Sequence, residues 1–208
     1  APVAERDWVR DSLAGLTPVV AGRIFVHGAH DRHNVPATSI AVEIDAGQAF
    51  GTGHHETTKA CLLALGQIAS VHRPSRVLDV GTGSGVLAIA AAKLLKSTIT
   101  ATDIDPVAVN VALENARLNQ VAPLVKGVAA HGVRNAQVAE GGPYNLILAN
   151  ILAGPLAGLA GDISSQLAPN GYLVLSGILN HQAQRVISAY RARGPVLRRR
   201  LKLGDWTT

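Results

Sequence analysis

A carboxylate followed by three closely spaced glycines is the feature of this sequence that most clearly suggests chemistry. Asp79 lies in the otherwise apolar run 77–80, and Gly81, Gly83 and Gly85 follow it at alternate positions. A strand that ends in such a turn and leads into a helix presents free backbone N–H groups, and the positive end of the helix dipole, to a ligand. The pattern therefore predicts a site for a nucleotide-like cofactor.

The spacing of these glycines does not fit a dinucleotide. The fingerprint of that class is G-x-G-x-x-G, and Val86 occupies its last position here. The negative charge of Asp79 would also repel a pyrophosphate, whereas it would attract a ligand that carries a cationic amine. An NAD-dependent oxidoreductase is therefore disfavoured, and a glycine turn without any ligand is the structural alternative.

A second carboxylate follows at the distance that a nucleotide site requires. Asp103 comes about twenty residues after the turn and ends the predicted strand 98–102, where an acid normally accepts hydrogen bonds from ribose hydroxyls. Its alternative role is to cap a turn. Asp105 precedes Pro106, so it is better interpreted as the N-cap of the next helix.

Asn150 closes another apolar run, residues 146–149. It is therefore expected at the carboxyl end of a strand, where open α/β sheets bind ligands. Its amide oxygen can orient an amine without protonating it. An Asn that caps a helix starting near Gly154 is equally consistent with the spacing.

Metal and nucleophilic chemistry are disfavoured. His54, His55 and Glu56 are adjacent, whereas a zinc-binding pair on a helix needs positions i and i+4, and no Cys-x-x-Cys follows. No G-x-S-x-G motif is present, and Cys61 lies inside a predicted helix, so no nucleophile is indicated. The single cysteine also excludes an internal disulfide.

Composition indicates one large α/β domain in a chain of 208 residues, of which 48% are hydrophobic and 16% charged. No apolar run approaches the length of a membrane span, and residues 1–7 lack a signal pattern, which favours the cytoplasm. The absence of Met and the ending at Thr208 suggest a fragment. Despite a net charge of +5, the run Arg198 to Arg200 is interpreted as the solvated face of an edge strand, and no nucleic-acid binding is expected.

The elements that would position these residues alternate regularly. A helix at 6–16 and strands at 23–26 and 39–44 form a lead-in, and a glycine-rich loop then opens a helix that runs to about residue 70. After the glycine turn, one helix is predicted to run to about residue 95, and further helices are predicted at 106–119, 155–167 and 181–193. Strands are predicted at 98–102, 124–126, 144–149 and 172–176, with a loop at 129–142 and a final strand pair from 195. This order predicts a doubly wound, mostly parallel sheet with helices on both faces.

Three separated stretches resemble one family. Residues 48–58, residues 79–85 together with 102–106, and residues 148–153 are similar to the PrmA family, the ribosomal protein L-eleven methyltransferases of bacteria and organelles. The resemblance runs from about residue 7 to residue 208. It implies the Rossmann-like, seven-stranded fold of class I methyltransferases, with a lead-in at 1–46 that adjoins a separate N-terminal substrate-binding domain, and a methyltransferase domain at 47–208.

The resemblance also implies the reaction. A monomeric enzyme would transfer methyl groups from S-adenosylmethionine to the N-terminal α-amine and lysine ε-amines of ribosomal protein L-eleven, leaving S-adenosylhomocysteine, with no metal. The implied catalytic residues are Asn150, His55 and Phe50. The implied cofactor-binding residues are Thr57, Asp79, Gly81, Thr82, Gly83, Asp103, Ile104 and Asn150.

Several points stay open after this comparison. His55 is either a base or a structural residue of its turn. Residues 126–130 offer no acid for the adenine, so backbone groups near 127–130 are the expected substitute. The rival functions are a non-catalytic binding module and a methyltransferase acting on another protein, RNA or a small molecule. A nucleobase acceptor is disfavoured because Ile151 and Leu152, instead of a Pro-Pro-aromatic sequence, follow Asn150.

Overall fold

The computed structural model describes residues 17–44 and 55–208. The predicted helix at 6–16 and the loop residues 45–54 lie outside the described residues. The central sheet consists of β4 (Arg76–Val80), β5 (Thr98–Asp103), β6 (Val125–Ala129), β7 (Tyr144–Asn150) and β8 (Leu167–Ser176). All four pairings are parallel, and the strand order is β6-β5-β4-β7-β8.

This strand order creates a switch point beside β4. The chain moves outward from β4 through β5 to β6, and it then returns to place β7 on the other side of β4. Open α/β sheets bind ligands at the carboxyl ends of the strands where the direction reverses. A ligand site is therefore expected at the carboxyl ends of β4 and β7, where Asp79 and Asn150 lie.

Two short sheets flank the central one. The first consists of β1 (Val19–Ala21), β2 (Ile24–His27) and β3 (Ile40–Glu43), and the second of β9 (Ile178–Leu179), β10 (Lys202–Leu203) and β11 (Trp206–Thr207). The helices are α1 (His55–Val71), α2 (Val86–Leu95), α3 (Pro106–Leu118), α4 (Ala136–Gly141), α5 (Ala153–Gly158), α6 (Ala160–Ser165) and α7 (Ala183–Arg191).

The core has two layers, one on each face of the central sheet. Because successive strand residues point to opposite faces, Leu146 and Leu148 of β7 join one cluster and Ile147 and Ala149 join the other. The first cluster also contains most buried residues of α1, α2 and the β1–β3 sheet, and the second contains those of α4 to α7. The predicted doubly wound arrangement is thus confirmed.

The lead-in strands share the main core. Buried residues of β1, β2 and β3 belong to the same cluster as α1 and α2. Polar contacts add to this packing: the Lys93 ammonium donates to the Ala41 carbonyl at 2.6 Å, and the Asn119 side chain bonds both backbone groups of Glu43. Within the described residues, 17–44 therefore pack as part of the same body as the parallel sheet.

Local chemistry explains the best-predicted helices. Helix α2 is built from Val, Leu, Ile and Ala with a single Lys, is buried over most of its length, and ends where Lys96 adopts a left-handed conformation at φ 56°. Helix α3 begins as the sequence predicts, since the Asp105 carboxylate accepts from the Val107 N–H at 2.8 Å and Pro106 occupies the first turn.

Four sequence predictions about elements need correction. The central sheet has five described strands instead of seven, because the last strands pair with β9 in a separate sheet. The helix expected at 155–167 is two short helices, since Pro155, Gly158 and Gly161 weaken a continuous one, and β8 already begins at residue 167. The loop at 129–142 contains α4, which the Asn135 side chain caps. Residues 198–200 are not in a strand.

No helix among the described residues combines the length and the apolar character needed to cross a membrane.

Candidate active site

Asp79 lies buried at the end of β4 with only one of its two carboxylate oxygens bonded. Its side chain is 1% exposed. The Oδ2 atom accepts from the Thr82 hydroxyl at 2.7 Å and from the Ala88 N–H at 3.2 Å, in the first turn of α2. The Oδ1 atom is buried without a hydrogen-bond partner in the structure.

This environment makes the carboxylate a strong acceptor for a cation. Burial raises the pKa of Asp79 to about 6, and the nearby charge of Asp103 adds to the rise, although the bonds from Thr82 and Ala88 oppose it. An ammonium group that bonded Oδ1 would satisfy the free oxygen and would favour its ionised form. The donor set therefore fits the cationic amine of the cofactor predicted from the sequence.

The glycine turn is held by hydrogen bonds from its N–H groups to the end of β5. The N–H groups of Gly81 and Thr82 both donate to the Thr102 carbonyl at 2.8 Å, and the Gly83 N–H donates to the Asp103 carboxylate at 2.9 Å. All three glycines have positive φ, at 71°, 53° and 82° for Gly81, Gly83 and Gly85.

Two of these glycines are needed for different reasons. A Cβ on Gly85 would lie 3.0 Å from the Ala112 backbone, so this residue allows α3 to pack closely on the turn. A Cβ on Gly83 would meet no atom within 4 Å. The open space at Gly83 lies beside the Asp103 carboxylate, which fits a ligand that crosses the turn.

Asp103 ends β5 with both oxygens engaged by backbone donors. Oδ2 accepts from Gly83 and Oδ1 accepts from the Asp105 N–H at 3.1 Å. Each carboxylate oxygen has a second lone pair, so the group can still accept from hydroxyls while its orientation is set by the backbone. Ile104 beside it is 68% exposed and forms an apolar surface at the same edge.

The backbone expected to bind the adenine is partly engaged. The Ala130 N–H donates to the Asp103 carbonyl at 2.8 Å, so it is not a free donor. Gly127 is packed against α3, where a Cβ would lie 2.7 Å from Val109. Of the backbone groups near 127–130 that were predicted to bind the adenine, the Ala130 N–H is thus already bonded within the protein.

Asn150 lies at the end of β7, one strand away from Asp79. Its side-chain amide donates to the Thr58 hydroxyl at 3.5 Å, near the start of α1. The following helix has Leu152 as its N-cap, with no side-chain capping bond. The helix-capping alternative for Asn150 is therefore not what the structure shows.

A buried serine that was not predicted from the sequence lies beside Asn150. Ser176 ends β8, pairs in register with Asn150, and is fully buried. Its hydroxyl lies 3.4 Å from the Thr57 carbonyl and 2.5 Å from the Thr208 hydroxyl. The signal was available, because Ser176 closes an apolar run just as Asn150 does, but a serine there is also common as a turn residue.

Part of the predicted site lies outside the described residues. Phe50 and the rest of the glycine-rich loop at 47–54 belong to this group. His55 is the first residue of α1. Thr57 is buried in the first turn of that helix, beside Ser176.

The described residues also bear on metal binding and on thiol chemistry. Among the described residues there is no group of three or more His, Cys, Asp or Glu side chains that could hold a metal ion. Cys61 is fully buried within α1, and burial raises the pKa of its thiol to about 12. Such a thiol is not a nucleophile at neutral pH.

The whole chain is similar in sequence to known proteins of one family. All residues, 1–208, match the family model described as Ribosomal protein L11 methyltransferase (PrmA). The ribosomal protein L11 methyltransferase of Bradyrhizobium diazoefficiens is 52% identical over 206 residues, which is 99% of this chain and 70% of that protein. The corresponding protein of Allorhizobium ampelinum is 48% identical, over 99% of this chain and 71% of that protein.

The chain belongs to the PrmA family. A crystal structure of a ribosomal protein L11 methylase from Lactobacillus delbrueckii subsp. bulgaricus is 30% identical and superposes with a TM-score of 0.82, covering 92% of this chain and 96% of that one. An RNA methyltransferase from Salinibacter ruber, solved with S-adenosyl-L-homocysteine, is 23% identical with a TM-score of 0.55, over 72% of this chain and 87% of that one, and it supports the fold alone. The PrmA chain is thus a methyltransferase whose cofactor is S-adenosylmethionine.

Proposed function

We propose that this PrmA-family chain methylates amino groups of ribosomal protein L11, namely the N-terminal α-amine and lysine ε-amines. The names of its relatives supply the acceptor protein. The observation that carries the assignment of residues is the unpartnered Oδ1 of Asp79 at the switch point, one strand from the side chain of Asn150.

The cofactor half of the proposed site uses residues of the glycine turn and β5. Asp79 binds the cationic amine, the open space at Gly83 admits the ligand, and Asp103 accepts from the ribose hydroxyls. Gly81 and Thr82 hold the turn through the Thr102 carbonyl. Ile104 provides an exposed apolar surface beside Asp103. S-adenosylmethionine supplies a methyl group that is already activated by its positive sulfur.

The acceptor half orients the amine. In this proposal the side-chain oxygen of Asn150 accepts a hydrogen bond from the incoming neutral amine, while its NH₂ group bonds Thr58. Holding two reactants in line can contribute ~7–11 kcal/mol to lowering the barrier. Leu152, which is 65% exposed beside Asn150, offers an apolar surface to the acceptor side chain.

A lysine acceptor must first lose its proton. Its unperturbed pKa is about 10.4, and contact with apolar surface such as Leu152 lowers the pKa of an amine by desolvation. His55 and Phe50 complete the proposed catalytic group. His55 either accepts the proton through water or has a structural role in its turn.

The domain bounds, the localisation, the oligomeric state and the lack of nucleic-acid binding are further parts of this proposal. Residues 47–208 are the methyltransferase domain and residues 1–46 a lead-in, although the described strands of that lead-in share the main core. A cytoplasmic, monomeric protein without direct nucleic-acid binding is the state predicted from the sequence.

The test is methyl transfer to the purified acceptor. The chain is incubated with S-adenosylmethionine and ribosomal protein L11, and the intact mass of L11 is measured. Each transferred methyl group adds one increment to that mass, and peptide mapping identifies the amines. The Bradyrhizobium relative serves as a positive control on the same L11 preparation. If the relative methylates L11 and this chain, with bound cofactor, does not, the proposed acceptor is wrong for this chain.

A further inference from the structure

Ile151 is the residue at which the cofactor half and the acceptor half of the proposed site touch. It follows Asn150 directly and precedes Leu152, the N-cap of α5. It is partly buried and packs against the second core cluster, which contains the buried residues of α4 to α7. Its burial is that of an ordinary core residue, but two glycines from different parts of the chain make room for it.

Gly81 of the glycine turn makes room for the Ile151 side chain. A Cβ on Gly81 would overlap the Cγ2 methyl of Ile151 and would lie 3.8 Å from the Ile151 Cβ. The φ of Gly81 is 71°, and its N–H donates to the Thr102 carbonyl of β5. Because β5 and β7 lie on opposite sides of β4, the Ile151 methyl packs on a turn that is bonded from the other side.

Gly177 makes room for the Ile151 backbone. This glycine links β8 to β9 and has a φ of 80°. A Cβ there would overlap the Ile151 carbonyl oxygen, and it would lie 2.8 Å from the carbonyl carbon and 3.1 Å from the nitrogen of that residue. Backbone atoms cannot turn aside as the end of a flexible side chain can, so this close approach requires a glycine at position 177.

The two contacts begin where the strand pairing ends. The last register pair of β4 and β7 is Val80 with Ala149, and the last pair of β7 and β8 is Asn150 with Ser176. Beyond these pairs, the packing of Ile151 on the two glycines continues the spacing of the three strands.

This spacing bears directly on methyl transfer. Asp79 lies two residues before Gly81, and Asn150 lies immediately before Ile151. The sulfur, the methyl group and the acceptor nitrogen have to lie in line, and a misplacement of about 1 Å can cost about 100-fold in rate. The packing of Ile151 on the turn therefore affects the distance that the reaction depends on most.

We propose that Ile151 is a positioning residue for methyl transfer. Its Cγ2 methyl packs on Gly81 and its backbone packs on Gly177, and together these contacts set the distance between the cofactor turn and Asn150. The role is indirect, since Ile151 acts through Asn150. The inference rests on the proposed function, in which Asn150 orients the amine.

The first test uses the shape of the side chain at position 151. Ile151→Val keeps both γ carbons, Ile151→Leu keeps the number of carbons but loses the branch at Cβ, and Ile151→Ala loses Cγ2. With ribosomal protein L11 as acceptor, we expect kcat to fall about tenfold or more in the Ala and Leu variants and to stay within about twofold of the wild type in the Val variant. The Kd for S-adenosylmethionine, from isothermal titration, should change less than about twofold in all three, because β5 still holds the turn.

A control variant separates this effect from a general loss of packing. Ile187 of α7 is also partly buried against the second core cluster. Ile187→Ala should lower the midpoint of thermal unfolding, as Ile151→Ala does, but it should leave kcat unchanged.

The second test needs no acceptor. Gly81→Ala should lower the unfolding midpoint by about 6 °C or more in the wild-type background, and by about half as much in the Ile151→Ala background, where only the strain of the positive φ remains. Gly22→Ala has a similar φ of 59° and no atom within 4 Å of its Cβ, so its effect should be the same in both backgrounds. Gly177→Ala should gain no relief from Ile151→Ala, because its overlap is with backbone that alanine keeps.

The two tests distinguish this inference from the proposed function. A wild-type chain that binds the cofactor and leaves L11 unmodified contradicts the proposed acceptor, and the unfolding midpoints then decide on the contact of Ile151 by themselves. The inference is overturned if the losses from Gly81→Ala and Ile151→Ala simply add, if the Ala and Val variants have the same kcat, or if Ile187→Ala lowers kcat as much as Ile151→Ala.

Discussion

The cofactor half and the acceptor half of the proposed site are held together in different ways. At the ends of β4 and β5 the bonds are short: Thr82 to Asp79 is 2.7 Å, and the Gly83 N–H to Asp103 is 2.9 Å. The contacts that join the ends of β7 and β8 to α1 are longer, with 3.5 Å between Asn150 and Thr58 and 3.4 Å between Ser176 and the Thr57 carbonyl.

The two halves also differ in how far apart the bonded partners are in the chain. The bonded pairs of the cofactor half are separated by 3 and 20 residues, whereas those of the acceptor half are separated by 92 and 119. A local turn can be preorganised for a small, constant ligand. The acceptor half has to receive a protein side chain, and weaker contacts there leave room for adjustment when the acceptor binds.

The largest expected effect tests the rigidity of the cofactor half. Gly85→Ala combines a strained φ of 82° with a contact of 3.0 Å to Ala112, whereas Gly22→Ala has a positive φ and no neighbour within 4 Å. We expect losses in the free energy of unfolding of about 3 kcal/mol and about 1 kcal/mol, respectively. Denaturant unfolding measures both. Equal losses would show that α3 does not pack on the turn as described.

The next effect separates cofactor binding from folding. Asp103→Ala removes the acceptor of the Gly83 N–H and of the ribose hydroxyls, and we expect the affinity for S-adenosylmethionine to fall about 100-fold. Isothermal titration gives the Kd. Asp105→Ala is the matched control, since it removes a helix cap two residues away and should lower stability by about 1 kcal/mol without affecting the Kd. A normal Kd in Asp103→Ala would remove this residue from the cofactor site.

A third substitution addresses the acceptor half. Asn150→Ala should lower kcat for methyl transfer by about tenfold to hundredfold, because the amine loses its orienting acceptor, while the Kd for the cofactor changes little. Asn145→Ala is the control on the same strand, since Asn145 bonds Ser75 and Arg76 at the opposite end. If kcat fell equally in both variants, the effect would be structural and the assignment of Asn150 would fail.

The smallest effect is a pH dependence of cofactor binding. Since burial raises the pKa of Asp79 to about 6, its carboxyl group becomes neutral below that pH and loses its attraction for the cationic amine. Affinity should be constant above about pH 7 and fall up to about tenfold per pH unit below about 6. Asp79→Asn should bind weakly at every pH and abolish the dependence; a dependence that persists in this variant would assign it to another group.

Folding of the cofactor-free chain should respond to pH in the opposite direction. The folded pKa of Asp79 lies above the ordinary value of 3.8, so the folded state binds this proton more tightly than the unfolded state does. The contribution of this group to stability is therefore fully present below about pH 3.8 and is lost as the pH rises through about 6. Comparing unfolding of the wild type and of Asp79→Asn at pH 4.5 and 7 measures it.

Much of the fold was predictable because its signals are local. The apolar strand before Asp79, the Ala-rich helix after Gly85 and the Asp105 cap with Pro106 each act within a few residues, and the structure places them as expected. The PrmA motifs, the methyltransferase reaction and its cofactor were likewise recognisable from short stretches. The predicted roles of individual site residues stay predictions.

The errors arose where a segment depends on distant partners. Residues 198–200 were predicted to form the solvated face of an edge strand, yet Arg199 bonds α1 and Arg200 bonds the turn after β9. The helix expected at 155–167 ends early because β8 extends back to residue 167 and pairs with Tyr144. Single-sequence patterns contain no information about these pairings.

The predicted chemistry of the cofactor half could be inferred from sequence because Asp79, the alternate glycines and Asp103 lie close in the chain, and a turn between a strand and a helix allows them few arrangements. Three other features depend on the folded chain: Oδ1 of Asp79 has no partner among the described residues, Ser176 lies beside Asn150, and β8 is at the edge of the parallel sheet. Each of these depends on which strands become neighbours. That choice is made by packing both faces of the sheet at once, so no single stretch of sequence contains it.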